Sequence, residues 1–165
     1  MFSNLRSLIF KFDPETAHNL AIKSLKFNFV PNILDTDRNN PLFKSKLFNK
    51  DLENPIGMAA GFDKNAEVYN SLFKLGFGFV EVGTITPLKQ YGNPKPRVFR
   101  LEEDEALINR LGFNNSGAEN IVHRIKSNKQ IGLLGINIGP NKDSENRLED
   151  YLKCLKTFHN VADYI

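Results

Sequence analysis

The sequence predicts an α/β protein in which a parallel sheet covered by helices follows a small helical extension. Short apolar runs alternate with stretches of helical periodicity, which is typical of repeated strand-helix units. The apolar runs are nearly continuous, as expected for parallel strands that are buried on both faces. A stretch rich in Pro, Asn and Asp precedes these units, and it predicts a division into an extension over residues 1–40 and an α/β domain over residues 41–165.

The extension is predicted to form two short amphipathic helices. The first is indicated by four apolar residues at helical spacing: Phe2, Leu5, Ile9 and Phe12. The run Asp13-Pro14-Glu15 supplies a capping residue, a first-turn proline and an early acid for the second helix. Lys23 and Lys26 would lie near the C-terminal end of that helix, where cations suit the helix dipole. Residues 30–50 have the composition of a linker.

Strands and helices alternate through the α/β domain. Capping-box spacing from Ser116 to Glu119 predicts the start of one of the helices. In chain order, the predicted elements are a strand at 56–60, a helix at 66–75, a strand at 77–85, a helix through 121–125, a strand at 133–138, a helix through 148–158 and the beginning of a further strand at 162–165.

The composition excludes several kinds of protein. Of the 165 residues, 41% are hydrophobic and 25% are charged, as in a soluble globular domain rather than a disordered chain. No apolar run reaches the ~18 residues of a membrane span. Cys154 is the only cysteine, so this chain can form neither an intrachain disulfide nor a thiolate zinc or iron-sulfur centre. Redox chemistry would therefore need an organic cofactor, and no metal site is predicted.

Positive charge is concentrated in the first part of the chain. Residues 1–50 contain eight Lys or Arg and four Asp or Glu, a net charge of +4 against a total of +3. They also contain seven of the fourteen Phe residues. Basic and aromatic residues together favour a membrane surface as the partner, whereas nucleic acid is disfavoured because the cations are spread singly. Ordinary packing of the apolar stripe against the domain is the alternative.

Three predicted strands end in polar or very small residues. The three strand ends are Ala60-Gly61-Phe62-Asp63-Lys64, Val82-Gly83-Thr84-Ile85-Thr86 and Gly135-Ile136-Asn137-Ile138-Gly139. In an α/β barrel the functional residues lie at the C-terminal ends of the strands. The small residues before Lys64 allow the main chain to approach a planar ligand, and Lys64 places a cation at its edge. A flavin and an anionic substrate need this geometry, although such a turn is also compatible with a purely structural role.

Five segments, taken together in their order and spacing, resemble the quinone-dependent class (class 2) of dihydroorotate dehydrogenase over essentially the whole chain. They are residues 59–65, 82–87, 97–101, 109–115 and 135–139. The resemblance implies that the domain is the N-terminal part of a (β/α)8 TIM barrel. It also implies that the extension is a membrane-docking lid over a quinone tunnel, which would place the protein peripherally on the cytoplasmic face of the cell membrane.

The resemblance implies an FMN-dependent enzyme that oxidises dihydroorotate to orotate in de novo pyrimidine (UMP) biosynthesis. A general base removes the C5 proton, hydride passes from C6 to flavin N5, and ubiquinone or menaquinone reoxidises the flavin. Two alternatives stay open: a soluble relative that uses fumarate or NAD, and a catalytically inactive fragment of the enzyme.

The resemblance also assigns site residues. The residues that would bind FMN are Ala60, Gly61, Phe62, Asp63, Lys64, Thr84 and Asn137. The residues that would bind the substrate are Lys64, Asn109, Arg110, Leu111, Gly112 and Phe113. His18 and Arg100 match positions of the family's quinone tunnel.

The family's catalytic serine and its later flavin contacts would lie beyond Ile165. A complete barrel takes ~250 residues, so the domain corresponds to about half of one. We therefore expect no catalytic base within residues 1–165, and no dihydroorotate oxidation by these residues alone.

Overall fold

The computed structural model describes residues 9–27 and 41–165. In chain order, its helices and strands are α1 (Pro14–Lys26), β1 (Ser45–Leu47), β2 (Lys50–Leu52), β3 (Gly57–Met58), α2 (Tyr69–Leu75), β4 (Phe79–Ile85), β5 (Val98–Leu101), β6 (Ala106–Asn109), α3 (Ala118–Ser127), β7 (Leu133–Ile138) and α4 (Arg147–Phe158). The helix predicted around residues 2–12 and the proposed boundary near residue 40 fall largely outside the described residues.

Helix α1 confirms the second predicted helix of the extension. The Asp13 carboxylate accepts a hydrogen bond from the Thr16 N–H at 2.8 Å, and Pro14 fills the first turn, where its missing N–H costs nothing. Ile22 and Leu25 are buried on the side that faces the rest of the protein. The Leu25 carbonyl accepts a hydrogen bond from the Ser71 hydroxyl at 2.9 Å, which joins α1 to α2.

The central sheet is parallel, as the sequence predicts. Its strand order is β3-β4-β7, and both strand pairs are parallel. Tyr164 forms a further parallel bridge to Gly135, so the end of the described chain lies in the next position of the sheet, as the predicted strand at 162–165 requires. The helices α2, α3 and α4 cover one face of this sheet.

The hydrophobic core lies between the sheet and these helices. Val80 and Val82 of β4 and Ile136 of β7 are almost fully buried, and they pack in one cluster with residues such as Ile121 and Phe158 from the helices. Because side chains alternate along a strand, the intervening residues of β4 and β7 face the other side of the sheet. Those residues include Glu81 and Asn137, so the face of the sheet opposite the helices, called the inner face below, carries polar side chains there.

Two hairpins lie where the sequence predicts none. Strands β1 and β2 form an antiparallel hairpin within the range 41–52, so the prediction of a linker up to residue 50 is wrong. Strands β5 and β6 form a second antiparallel hairpin after β4, with residues 102–105 at its turn. Both hairpins are short and largely exposed, so they lack the buried apolar run that identifies a strand in sequence.

Two predicted helix starts are also wrong. The N-cap of α3 is Gly117 rather than Ser116, because the Asn115 side-chain oxygen accepts from the Gly117 N–H at 2.9 Å and fixes the turn by a contact that sequence spacing does not reveal. Helix α2 begins at Tyr69 rather than near residue 66. The Asp63 carboxylate accepts hydrogen bonds from the N–H groups of Glu67 and Val68, both at 2.8 Å. These bonds hold the residues before α2 in a loop.

Candidate active site at the strand ends

The loop that follows β3 runs beside the end of β4. The Gly61 N–H donates to the Gly83 carbonyl at 2.8 Å, and the Gly83 N–H donates to the Asp63 carbonyl at 3.2 Å. Ala59 and Gly61 are exposed, and among residues 9–27 and 41–165 no atom lies within 4 Å of a Cβ added to Gly61. The loop therefore presents main chain with open space in front of it, as a planar ligand requires.

Lys64 is a half-buried cation at this loop. Its Nζ donates to the Gly61 carbonyl at 2.6 Å, and among the described residues no carboxylate lies in ion-pair range of it. Burial lowers the pKa of Lys64, while the charge of Glu15 opposes this and that of Arg97 adds to it. An ammonium that keeps two further donors in a partly desolvated place is suited to hold an anion.

Thr84 and Asn137 meet at the ends of β4 and β7. The Thr84 hydroxyl donates to Asn137 Oδ1 at 2.6 Å. A Cβ added to Gly139 would lie 2.9 Å from the Thr84 methyl and 3.8 Å from the Phe113 ring. The Phe113 ring therefore lies next to the tips of both strands. Lys64 joins the same region through Gly61, so the three strand ends that the sequence singles out converge.

Asp63 contributes to this region through its main chain. Its side chain is 1% exposed, and the carboxylate is occupied by the two N–H groups ahead of α2. Burial raises the pKa of Asp63, and these hydrogen bonds oppose that effect. The carboxylate shapes the loop and is not available to a ligand, a distinction that the sequence motif does not reveal.

Residues 109–112 are held by the loop that precedes β5. The Asn93 side chain donates to the Arg110 carbonyl at 2.7 Å, and its N–H donates to the Leu111 carbonyl at 3.0 Å. The Gln90 side chain donates to the Gly112 carbonyl at 2.9 Å. Asn109 and Phe113 are exposed at the two ends of this anchored segment.

Arg110 differs from its neighbours, because its guanidinium is turned toward the hairpin. It donates to the Pro96 carbonyl at 3.1 Å and lies 5.7 Å from the centre of the Phe99 ring. Only the main chain of Arg110 therefore belongs to the anchored segment: its carbonyl accepts from Asn93, and its N–H donates to the Arg97 carbonyl at 2.9 Å.

His18 and Arg100 join helix α1 and the residues before it to the site. The His18 ring meets the Phe62 ring edge-on, with centres 5.1 Å apart, and burial lowers the pKa of His18 with a further contribution from Lys64. Arg100 donates to the Phe12 carbonyl at 2.9 Å and lies 4.5 Å from the Phe10 ring centre. His18 therefore lies beside the loop that carries Lys64, whereas Arg100 joins the β5–β6 hairpin to the residues before α1.

Sequence reasoning missed the strongest polar contact of this region. Arg97 is 6% exposed, and its guanidinium binds the Glu15 carboxylate through two hydrogen bonds, of 3.1 and 2.5 Å. The same guanidinium donates to the carbonyls of Tyr91 and Asn93 at 2.7 and 2.9 Å. The two charged partners are 82 residues apart, so no local pattern indicates their pairing.

Asn65 and Asn115 have structural roles of the same kind. Asn65 accepts from the Ser116 N–H at 2.8 Å, and Asn115 donates to the Thr86 hydroxyl at 2.8 Å.

In the part of the chain that the structure describes, no group of three His, Cys, Asp or Glu side chains is placed to hold a metal ion. Within those same residues, no helix is long and apolar enough to cross a bilayer.

Parallel strands that alternate with helices, with small, amide and cationic residues gathered at their C-terminal ends, define an α/β-barrel type of site. A family model described as dihydroorotate dehydrogenase matches residues 42–165. A Rhizobium etli protein named dihydroorotate dehydrogenase (quinone) is 53% identical over 156 residues, which cover 94% of this chain and 42% of that protein. A Bartonella henselae protein of the same name is 51% identical, with 96% and 43% covered. The chain belongs to the dihydroorotate dehydrogenase family.

A solved structure supports the same fold. The DHODH from Eimeria tenella, crystallised in complex with ferulenol, matches with a TM-score of 0.84 and 42% identity over 92% of this chain and 42% of that chain. The predicted fold class is confirmed, since the described α/β domain corresponds to part of a TIM barrel preceded by helix α1. The chain spans about 42% of the length of the curated relatives it matches.

Proposed function

We propose that this chain carries flavin-binding and substrate-binding residues of a quinone-dependent dihydroorotate dehydrogenase, which oxidises dihydroorotate to orotate in de novo pyrimidine biosynthesis. FMN would supply the redox chemistry by accepting a hydride and passing the electrons to a quinone. The observation that carries the proposal is the half-buried Lys64, which has no carboxylate partner among residues 9–27 and 41–165 and lies beside an open small-residue loop.

The strand ends suit a flat cofactor. Ala60 is half-buried and Gly61 is exposed, and a Cβ at Gly61 would fill part of the open space that a ring would take. Thr84 and Asn137 add a hydroxyl and an amide to the same region. These residues would bind and orient FMN by main-chain contact and by hydrogen bonds.

Lys64 would hold the carboxylate of dihydroorotate by a charge-assisted hydrogen bond. The amide of Asn109 would pair with polar groups of the substrate ring, because an amide offers both a donor and an acceptor without a charge to compensate. The anchored main chain of residues 110–112 would fix that segment, and the Phe113 ring would limit the access of water beside Thr84.

Helix α1 would form the side from which a quinone approaches. A quinone head group would approach the flavin beside His18, which contacts the loop after β3, and beside Arg100, which contacts the residues before α1. Exposed apolar residues on α1 and at its C-terminal end, Leu20 and Phe27, fit a peripheral position on the cytoplasmic face of the cell membrane.

Ligand binding tests the proposal, and it is measured on the protein expressed from its complete natural coding sequence. We expect FMN to bind, as measured by quenching of its fluorescence, and orotate to perturb the absorption of the bound flavin. The substitution Lys64→Met should weaken orotate binding about a hundredfold, because it removes a hydrogen bond from a charged group in a partly buried place.

The matched control is Lys89→Met, which removes an exposed lysine that lies over the Tyr91 ring. It should leave orotate binding within about twofold of the unsubstituted protein, as is usual for surface substitutions. Absence of flavin binding by the unsubstituted protein, or equal orotate affinity in the two lysine variants, would contradict the proposal.

A further inference from the structure

A chain of hydrogen bonds runs along the inner face of the sheet to the strand ends. The Tyr164 hydroxyl donates to Glu81 Oε2 at 3.1 Å, and the Asn137 side-chain N–H donates to Glu81 Oε1 at 3.3 Å. The Thr84 hydroxyl then donates to Asn137 Oδ1 at 2.6 Å. Glu81 is therefore two hydrogen bonds away from Thr84, and the sequence motif at the end of β4 does not include it.

The chemistry of Glu81 fixes the direction of every bond in this chain. An ionised carboxylate only accepts hydrogen bonds, so both of its neighbours must donate to it. Asn137 consequently turns its N–H toward Glu81 and its oxygen toward Thr84. The Thr84 hydroxyl donates its single proton to that oxygen, so only the lone pairs of Thr84 Oγ1 can face the site.

The backbone places Glu81 where it can do this. Glu81 lies opposite Gly135 in the register of β4 and β7. A Cβ at Gly135 would lie 2.1 Å from the Tyr164 ring, so the missing side chain gives Tyr164 the room to reach Glu81. Burial raises the pKa of Tyr164, and the charge of Glu81 adds to the effect, so its hydroxyl stays a donor.

We propose that Glu81 is a positioning residue that makes Thr84 a pure hydrogen-bond acceptor toward the cofactor. The group that Thr84 would meet is a ring N–H of the flavin, the donor that a planar heterocycle of this class presents at its edge. This inference rests on the proposed function, and it adds a residue that acts through Asn137 and Thr84 rather than by touching the flavin.

The substitution Glu81→Gln, made in the protein expressed from its complete natural coding sequence, tests the inference. The Gln oxygen keeps the Tyr164 proton, for which the described residues offer no other acceptor, and its N–H then faces Asn137. Asn137 therefore reverses, and Thr84 becomes a donor to the site. We expect about tenfold weaker FMN binding, the usual effect of one mismatched hydrogen bond, together with a shifted absorption band of the bound flavin.

The control is Tyr164→Phe, which removes the other hydrogen bond of Glu81 and leaves the bond to Asn137 intact. It should change FMN affinity by less than about twofold, in line with a substitution away from the site. A double-mutant cycle with Thr84→Val separates positioning from folding. Without the Thr84 hydroxyl, Glu81→Gln should cause no additional loss of FMN affinity.

Should Glu81→Gln fail to fold in circular dichroism, the pair Glu81→Gln with Asn137→Asp provides the test. In this pair the Gln amide donates to the Asp carboxylate, which also accepts from Thr84, so the original direction is restored. We expect the pair to bind FMN more tightly than Asn137→Asp alone, in which two carboxylates face each other.

The outcomes are separable. If the unsubstituted protein binds no FMN, the proposed function is overturned together with this inference. If it binds FMN, the inference alone is overturned by any of three results: unchanged affinity and spectrum in Glu81→Gln, the same tenfold loss in the Thr84→Val background, or a Glu81→Gln/Asn137→Asp pair no tighter than Asn137→Asp.

Discussion

The two halves of the candidate site are held by different forces. The sheet region, made of β3, β4, β7 and helices α2 to α4, is held by an apolar core in which Val80 and Leu134 are fully buried. The polar arm, made of α1 and residues 86–117 with the β5–β6 hairpin, has an exposed strand β6. Ile22 and Leu25 anchor one side of α1 in the same apolar core, whereas the rest of the arm is held by the buried Arg97 pair with Glu15 and by many side-chain bonds to carbonyl groups.

This difference has a consequence for the site that lies between the two regions. Lys64, Thr84 and Asn137 come from the sheet region, and packing fixes their positions. His18, Arg100 and the segment 109–113 come from the polar arm, where charges and hydrogen bonds fix them. Changes in pH or charge should therefore move the arm side of the site before they affect the sheet side.

The largest expected effect is loss of the core in the sheet region. Phe158 is 0% exposed and packs in the central cluster. Phe158→Ala should lower the free energy of unfolding by about 3–5 kcal/mol, the usual cost of deleting a buried aromatic side chain. Urea denaturation monitored by circular dichroism measures it, and the transition should stay cooperative because Phe158 packs within a single cluster.

The matched control is Phe27→Ala, since Phe27 is 75% exposed. Its cost should stay within about 0.5 kcal/mol, as for surface substitutions. Equal costs for the two variants would show that the apolar cluster is not what holds the sheet region together.

The next effect concerns the polar arm. Arg97→Met leaves the Glu15 carboxylate with the exposed Lys95, at 3.5 Å, as its one ion-pair partner in the part of the chain that the structure describes. The cost should be about 3 kcal/mol, because one partner of a buried pair then stays uncompensated. Amide hydrogen exchange should show loss of protection in α1 while β4 and β7 stay protected, since the arm opens separately from the core.

The exposed pair of Lys46 and Asp51 supplies the control. Both side chains are more than 70% exposed, and their charged atoms are 3.5 Å apart. Lys46→Met should cost less than about 1 kcal/mol, the usual limit for a surface ion pair. Exchange that increases equally in α1 and in the central strands of Arg97→Met would show that the two regions unfold together.

The same contrast explains what could be predicted from the sequence. The strand at 133–138 is observed with the predicted bounds, and α1 follows its predicted cap, because both depend on apolar periodicity and on residues a few positions apart. The hairpins β1–β2 and β5–β6 were not predictable in this way. Their strands are short and mostly exposed, and they contact distant residues, through Phe48 with Tyr164 in the first hairpin and Arg100 with Phe12 in the second.

The candidate site divides along the same line. Thr84 and Asn137 lie at the C-terminal ends of apolar strands and Lys64 lies in the loop after β3, so the convergence of these ends follows from a parallel sheet. The roles of Glu15 and Arg97 depend on a contact between distant parts of the chain, and that of Asp63 depends on which way its side chain turns. Sequence shows the residue types at these positions but not the partners that decide their roles.

The smallest expected effect is the acid sensitivity of the polar arm. The Arg97 hydrogen bond holds the pKa of Glu15 below its usual value of 4.5; burial opposes this effect and Lys95 assists it. Because the folded protein resists protonation at Glu15 more than the unfolded chain does, stability from this group is complete above about pH 4.5 and is lost as the pH falls through the folded pKa.

Glu15→Gln should therefore be less stable than the unsubstituted protein at pH 7, and the difference should shrink in urea denaturations below pH 4.5. His18 supplies an internal comparison, because burial lowers its pKa from 6.5. The stability that depends on neutral His18 is therefore lost as the pH falls below about 6.5, which is above the range in which Glu15 acts. That earlier loss should persist in Glu15→Gln. A stability difference between the two proteins that stays constant down to pH 3.5 would mean that Arg97 does not stabilise the charged form of Glu15, and the polar arm would then need another anchor.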